Sequence, residues 1–203
     1  MQNIDMTLVN FKNLENFVLN SFLAMGLRNE DAKIFTDALM FSELRFHSGQ
    51  GQGVQRITTY YKRIKNKEVN INIDLDIVKE SSSLALVDAK NGIGTVQASK
   101  CMDIAITKAK NEGIGQVIIK NSTHFGSSSV HAVRATKKNC IGIAYTNAGP
   151  EMAPWGSRSG GVGTNPWGIS CPTNRGYPLI LDLSLILISE PTRAIDISYA
   201  VFC

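Results

Sequence analysis

The stretch 84 LALVDAKNGIGTVQASKCMDIAITKAKNEGIGQVIIKNSTHFG 126 decides the class of this chain. Leu84-Ala85-Leu86-Val87 is a short apolar run of the kind that forms a buried strand. Val96 to Asn111 carries helical spacing and stops at Gly113, and Val117-Ile118-Ile119 makes a second strand. Beyond the stretch the alternation continues, with a helix expected over Val130 to Lys138 and a strand over Ile141 to Tyr145. Alternating strand and helix signals predict an α/β class of mixed α+β character. No internal repeat and no low-complexity linker interrupts it.

Upstream the pattern is helical. Phe11, Leu14, Val18, Phe22 and Met25 fall on one stripe at three- and four-residue steps, and Gly26 supplies a C-terminal stop. Asn29 has the character of an N-cap, with Glu30 and Asp31 in the first turn behind it. The helix it opens carries Ala32, Phe35, Ala38 and Leu39 toward Leu44. After the Gly- and Gln-rich run His47-Ser48-Gly49-Gln50-Gly51-Gln52-Gly53, another helical stretch passes through Tyr60, Tyr61 and Ile64. The first two helices read as packing elements without chemistry.

Composition narrows the function classes. The chain has 203 residues, a hydrophobic fraction of 43%, a charged fraction of 19% and a net charge of +4, values ordinary for a globular protein. The densest basic run, Tyr61-Lys62-Arg63-Ile64-Lys65-Asn66-Lys67, lacks the aromatic interleaving of a nucleic-acid footprint and reads as a solvated helix end. Cys101, Cys140, Cys171 and Cys203 make no C-x-x-C pair and no zinc-like spacing. No signal-peptide pattern opens the sequence, and no apolar run approaches the ~20 residues that span a bilayer. A reduced, cytoplasmic protein with no nucleic-acid or membrane partner is expected.

Four places carry residues that suit chemistry. Asp88-Ala89-Lys90-Asn91-Gly92-Ile93-Gly94 stands where a Rossmann phosphate loop would, but Gln97 replaces the third glycine and no acid follows at the ribose distance. A plain strand-to-helix turn is the better reading. Arg56 and Tyr60 lie one helical turn apart, and an arginine fork suits a carboxylate. Standing alone, they read better as a surface arginine and a half-buried tyrosine. His124, at the end of the strand over 117–119, can exchange a proton with a substrate oxygen near neutral pH. His131 reads instead as a hydrogen-bonded packing residue, partly exposed. Gly163-Thr164-Asn165-Pro166 has turn composition and could equally present amides and a hydroxyl to a nicotinamide or phosphate.

The order and spacing of Asn121-Ser122-Thr123-His124-Phe125-Gly126, of Ile141 to Asn147, of Gly163 to Pro166 and of Pro178 to Asp182 resemble the malate/L-lactate dehydrogenase family. Those proteins are NAD(P)-dependent reductases of 2-oxo acids and related substrates that do not use a Rossmann domain. Gly53-Val54-Gln55-Arg56 and Tyr60 match the second half of the family's Ser-His-Gly-Val-x-Arg motif and the tyrosine four residues on. The family's histidine falls here at Gln52, which can orient a carbonyl but has no proton to give, and its serine falls at Gly51. The segment is about two residues longer than the family's, which leaves His47 near enough to substitute. His124 matches the second family histidine, in Ser-x-His-Phe-Gly.

The resemblance implies His124 as proton donor or acceptor with His47 second, Gln52 beside the substrate carbonyl, and Arg56 with Tyr60 on the substrate carboxylate. It implies contacts to NAD or NADP at Thr146, Asn147, Ala148, Gly163, Thr164, Asn165 and Asp182. It further implies a 2-oxo or 2-hydroxy acid substrate and a homodimer. Residues 1–75 would be the helical part of a substrate and dimerisation domain, and 76–182 an incomplete NAD(P)-binding region. Residues 183–203 resemble translated sequencing-adapter read-through, so a truncated chain is expected. An enzyme fragment, itself inactive, is one reading. A non-catalytic nucleotide-binding protein or pseudoenzyme, suggested by Gln52, is the other.

Overall fold

A computed structural model describes residues 8–45 and 53–183. The chain divides into two compact units that meet in sequence at Asn72 and Ile73.

The first unit is helical: α1 (Phe11–Ala24), α2 (Asn29–Glu43) and α3 (Arg56–Lys65). Its centre is a stack of rings. Phe22 lies flat on Phe35 with centroids 4.3 Å apart, and Phe35 meets Tyr60 edge-on at 4.6 Å. Val18, Phe22 and Phe35 are fully buried, so the stripe read from the sequence is the packed face of α1 except at Phe11, which stays exposed at its start. Burying each such side chain contributes roughly 1.5–3 kcal/mol. Gly26 takes φ +91°, the left-handed turn that ends α1. Its carbonyl accepts from Asn72 Nδ2 at 2.8 Å, and Asn72 Oδ1 accepts from Arg28 N–H at 2.7 Å.

One cap differs from the expectation. Arg28, not Asn29, is the extended residue before α2, and Asn29 is already helical. Arg28 is held in that conformation by its amide bond to Asn72, and its Nε reaches forward to Asp31 at 2.9 Å. A tertiary partner from 44 residues downstream therefore displaced the local capping preference.

The second unit holds two three-stranded sheets. In the first, β1 (Asp76–Glu80) pairs antiparallel with β2 (Leu84–Asp88), and β2 pairs parallel with β3 (Gln116–Lys120). Helix α4 (Gly94–Glu112) makes the crossover from β2 to β3 that a parallel pair requires, and it ends at Gly113 with φ +83°. Ala85, Val87, Val96 and Cys101 are buried where helix and sheet meet. Lys108 staples the β1–β2 turn to α4 by reaching Ser81 O at 2.7 Å and Glu80 at 2.8 Å.

The second sheet is wholly antiparallel, in the order β4 (Gly142–Tyr145), β5 (Trp167–Cys171), β6 (Leu179–Leu183). Helix α5 (Ser128–Thr136) packs on all three strands and on α4. Strand alternation sends Gly142, Ala144, Gly168, Ser170 and Ile180 toward the helix, while Ile143, Tyr145, Trp167 and Leu179 stay exposed on the other face. A Cβ on Gly142 would sit 2.0 Å from Ala132 O, and one on Gly168 would sit 2.9 Å from Ser129 N. Glycine at both places lets the sheet approach the helix backbone.

The mixed α/β class is as expected, and the strands at β2, β3 and β4 lie where the apolar runs placed them. β1 and β5 were not legible. β1 is exposed along its whole length and carries three charges, so it has no apolar alternation. β5 contains Gly168 and Ser170, chosen for contact with α5 rather than for strand propensity.

Candidate functional site

His124 stands exposed on the loop between β3 and α5, and the chain is clamped on both sides of it. On the N-terminal side, Thr123 Oγ1 donates to Gly92 O at 2.8 Å and accepts from Gly94 N–H at 3.0 Å. A Cβ on Gly94 would stand 2.0 Å from Thr123 O and 2.6 Å from His124 O, so α4 begins in direct contact with this backbone. Asn91 N–H donates to Asn121 O at 2.8 Å, and Asn121 Nδ2 to Asp88 Oδ2 at 2.9 Å. Asp88 is held below the usual carboxylate range, first by the Lys90 amide and then by Lys120 and Asn121, against a smaller opposing effect of burial. The turn that superficially resembles a phosphate loop thus spends the Asn91 and Gly94 amides on the His124 loop and those of Lys90 and Gly92 within itself. Gln97, in the position of the missing glycine, is buried and donates to Ile73 O.

On the C-terminal side the clamp is His131. The expectation of partial exposure is corrected: His131 is 1% exposed, because α5 turns it inward against α4. Its Nε2 lies 2.7 Å from Phe125 O, its Nδ1 lies 3.2 Å from Ser99 Oγ, and its ring stacks on Phe125 at 4.9 Å. A carbonyl only accepts, so Nε2 carries the hydrogen and Nδ1 accepts from the serine hydroxyl. Burial pushes the His131 pKa down to about 4, reinforced by Arg134 and opposed by the Phe125 bond and Asp182. The ring is therefore neutral at physiological pH. Cys101, also on α4, is pushed up to about 12 by burial and is inert as a nucleophile.

The segments read as cofactor contacts lie at the ends of β4 and β5. Past the strand ladder, Thr146 N–H donates to Pro166 O at 3.1 Å and Ala148 N–H to Asn165 Oδ1 at 2.9 Å. Gly163 is buried, and a Cβ there would stand 2.3 Å from Ala148 O. Thr146, Asn147, Ala148, Gly163, Thr164 and Asn165 thus come from two distant stretches into one paired strand end. Asn147 and Asn165 are exposed, and Thr146 and Thr164 are half-buried. Asp182 lies on β6, where it faces α5. Its Oδ2 accepts from Ser127 Oγ at 2.5 Å and from Ser129 N–H at 2.9 Å, a carboxylate at the positive end of the helix.

Arg56 and Tyr60 belong to the helical unit. Arg56 opens α3 and is half-buried, its amide bonded to Gly53 O at 3.0 Å. Tyr60 is 2% exposed, with its ring in the Phe22–Phe35 core. His47 and Gln52 lie outside the described residues. Sequence reading missed the clamps, Thr123, Ser99 and the Ser127–Ser129 to Asp182 bonds. The serine run at 127–129 before an apolar helix was a legible sign of a capped N-terminus. Nothing local announced Thr123 and Ser99, whose partners lie 29 to 32 residues away in sequence.

Comparison with known proteins gives a consistent answer. The family model for malate/L-lactate dehydrogenase matches residues 9–190. A malate dehydrogenase of Pyrococcus abyssi is 37% identical over 175 residues, which is 86% of this chain and 48% of that protein. An L-sulfolactate dehydrogenase of Methanocaldococcus jannaschii is 35% identical over 179 residues, 88% of this chain and 51% of that protein. Among solved structures, the malate dehydrogenase of Pyrococcus horikoshii superposes with a TM-score of 0.81 at 36% identity, over 87% of this chain and 50% of that one. The chain spans about half the length of the curated relatives it matches.

Proposed function

The chain belongs to the malate/L-lactate dehydrogenase family, and from that premise we propose that it carries the N-terminal part of an NAD(P)-dependent oxidoreductase acting on a 2-oxo or 2-hydroxy acid. The observation that carries this reading is His124, a titratable group exposed on a loop pinned on both sides, in a unit that also presents a paired strand end suited to a cofactor. Several relatives are named for malate or sulfolactate, which are 2-hydroxy acids with a second anionic group.

In this reading the bound nicotinamide supplies hydride acceptance and donation at the substrate's second carbon. The exposed Asn147 and Asn165 and the small side chains of Thr146, Ala148, Gly163 and Thr164 fit such a group, since they leave room beside polar groups at the strand end. Asp182 acts there by holding α5 with Oδ2, which leaves Oδ1 without a protein partner among the described residues. His124 gives or takes the proton of the substrate oxygen, with His47 as second candidate and Gln52 orienting the carbonyl. Arg56 binds the carboxylate, and Tyr60 adds a hydroxyl at the edge of its packed ring. The working protein in this reading is a cytoplasmic homodimer, on analogy with the family.

The length of the relatives supports a further part of the reading, that the polypeptide of 203 residues is inactive by itself. Residues 183–203 enter it as adapter read-through, to be checked by resequencing the source DNA across codon 182 with a differently prepared library. The family match runs on to residue 190, so that boundary is the point at issue. In a full-length version, His124→Ala should lower kcat by about 10²–10⁴ while cofactor binding persists. Turnover left intact by that change would remove His124 from the mechanism.

A further inference from the structure

We propose that His131 is a positioning residue for His124: its imidazole bridges the Ser99 hydroxyl and the Phe125 carbonyl and so fixes the direction in which the neighbouring His124 side chain leaves the loop. This rests on the reading of His124 as the proton-exchanging group.

The argument begins with the backbone. A loop residue at a strand end has two soft dihedrals, and its side chain points reproducibly only when the peptides before and after it are held. The peptide before His124 is held by Thr123 and by contact with Gly94. The His124 carbonyl also packs against Gly94, and one residue further on the Phe125 carbonyl is held by His131 Nε2 at 2.7 Å, reinforced by the stacked rings. Gly126 follows with φ +83° and has no side chain with which to anchor itself. The anchor is strong because it is buried, and it is directional because the Phe125 carbonyl only accepts, which puts the ring N–H on Nε2 and leaves Nδ1 to accept from Ser99 on α4. With Nδ1 accepting from the serine, the only hydrogen on the ring points at Phe125 O. A second histidine thus orients the first without touching substrate.

The charged groups facing His131 are Arg134 on its own helix and Asp182 on β6. They oppose one another, and burial keeps the ring neutral. The clamp therefore keeps the same hydrogen-bond sense at neutral pH.

The test uses the ¹⁵N-labelled chain and two-bond proton–nitrogen spectra of its imidazoles. In the unmodified chain, His131 should show the Nε2–H tautomer and no titration from about pH 8 to about pH 5. His131→Phe keeps the ring stack and removes both bonds. It should shift or split the His124 imidazole resonances, move its titration midpoint and speed amide exchange at Phe125 and Gly126 by about tenfold. His131→Gln, whose side-chain amide can still donate to Phe125 O, should restore the His124 spectrum. Val130→Ala, a destabilising cavity on the same helix, should leave that spectrum unchanged. An Nδ1–H tautomer, a normal His131 titration, or a His124 spectrum indifferent to His131→Phe would overturn the proposal. If the phenylalanine variant does not fold, the tautomer and the glutamine variant decide it. None of these readouts requires turnover, so failure of the functional reading through His124→Ala is seen separately.

Discussion

The loop at 121–126 and the loop pair at 146–166 both flank strand ends of the second unit, yet they are held in different ways. The first is short and fastened by the half-buried Thr123, by buried His131 with Ser99, and by the close contact at Gly94. The second is long and mostly exposed, with the Met152–Val162 bridge and the Asn165 side chain as its main ties. A residue that must deliver a proton along one direction benefits from the first design, since misplacement of about 1 Å is costly in catalysis. A surface that closes around a ligand benefits from the second, where opening costs little. On the proposed function, the contrast separates positioned chemistry from adjustable binding within one unit.

Glycine substitutions should break the comparison most sharply. Gly94→Ala puts a methyl group against the backbone oxygens of Thr123 and His124, which cannot swing aside. A loss of about 3 kcal/mol or more, or failure to fold, is expected in denaturant unfolding. Gly149→Ala in the second loop meets nothing within 4 Å, and the same measurement should move by about 0.5 kcal/mol or less.

Acid should loosen the first loop before the second. His131 has a folded-state pKa of about 4, below its unfolded value of 6.5, so the unfolded chain takes up a proton first as pH falls. Its contribution to stability is complete above about pH 6.5 and is lost progressively down to about pH 4. The ceiling is about 3 kcal/mol. Unfolding free energies measured across that window should slope upward with pH, and His131→Gln should flatten the slope. A slope unchanged by the substitution would place the acid sensitivity elsewhere.

The smallest contrast compares two threonines. Thr123→Val removes a donor and an acceptor that join two segments and should cost about 1–2 kcal/mol. Thr146→Val loses only a bond to the adjacent Asn147 carbonyl and should cost about 0.5 kcal/mol. Similar losses at both sites would mean that the second loop is as tightly held as the first.

Much of this was legible beforehand where the governing interactions are local. The stripe on α1 and the glycine stops at Gly26 and Gly113 follow from rules that act within a few residues. The apolar runs of β2 and β3 are equally visible, β2 burying Ala85 and Val87 and β3 half-burying Val117 and Ile119. Asn29 failed as a cap, and β1 and β5 failed as visible strands, where a distant partner or full exposure removed the local signal.

By itself the sequence determined the alternation of strands and helices, the histidine at a strand end in Ser-Thr-His-Phe-Gly, and the family, because periodicity and motif order are properties of neighbours along the chain. Only the tertiary structure decided that His131 is a buried, neutral clamp, that Thr123 ties the loop to α4, and that Asp182 caps α5 from a strand 53 residues later. Those roles depend on which polar groups are removed from water together. That is set when helices and sheets pack, since a buried donor must find its acceptor wherever the fold has brought one.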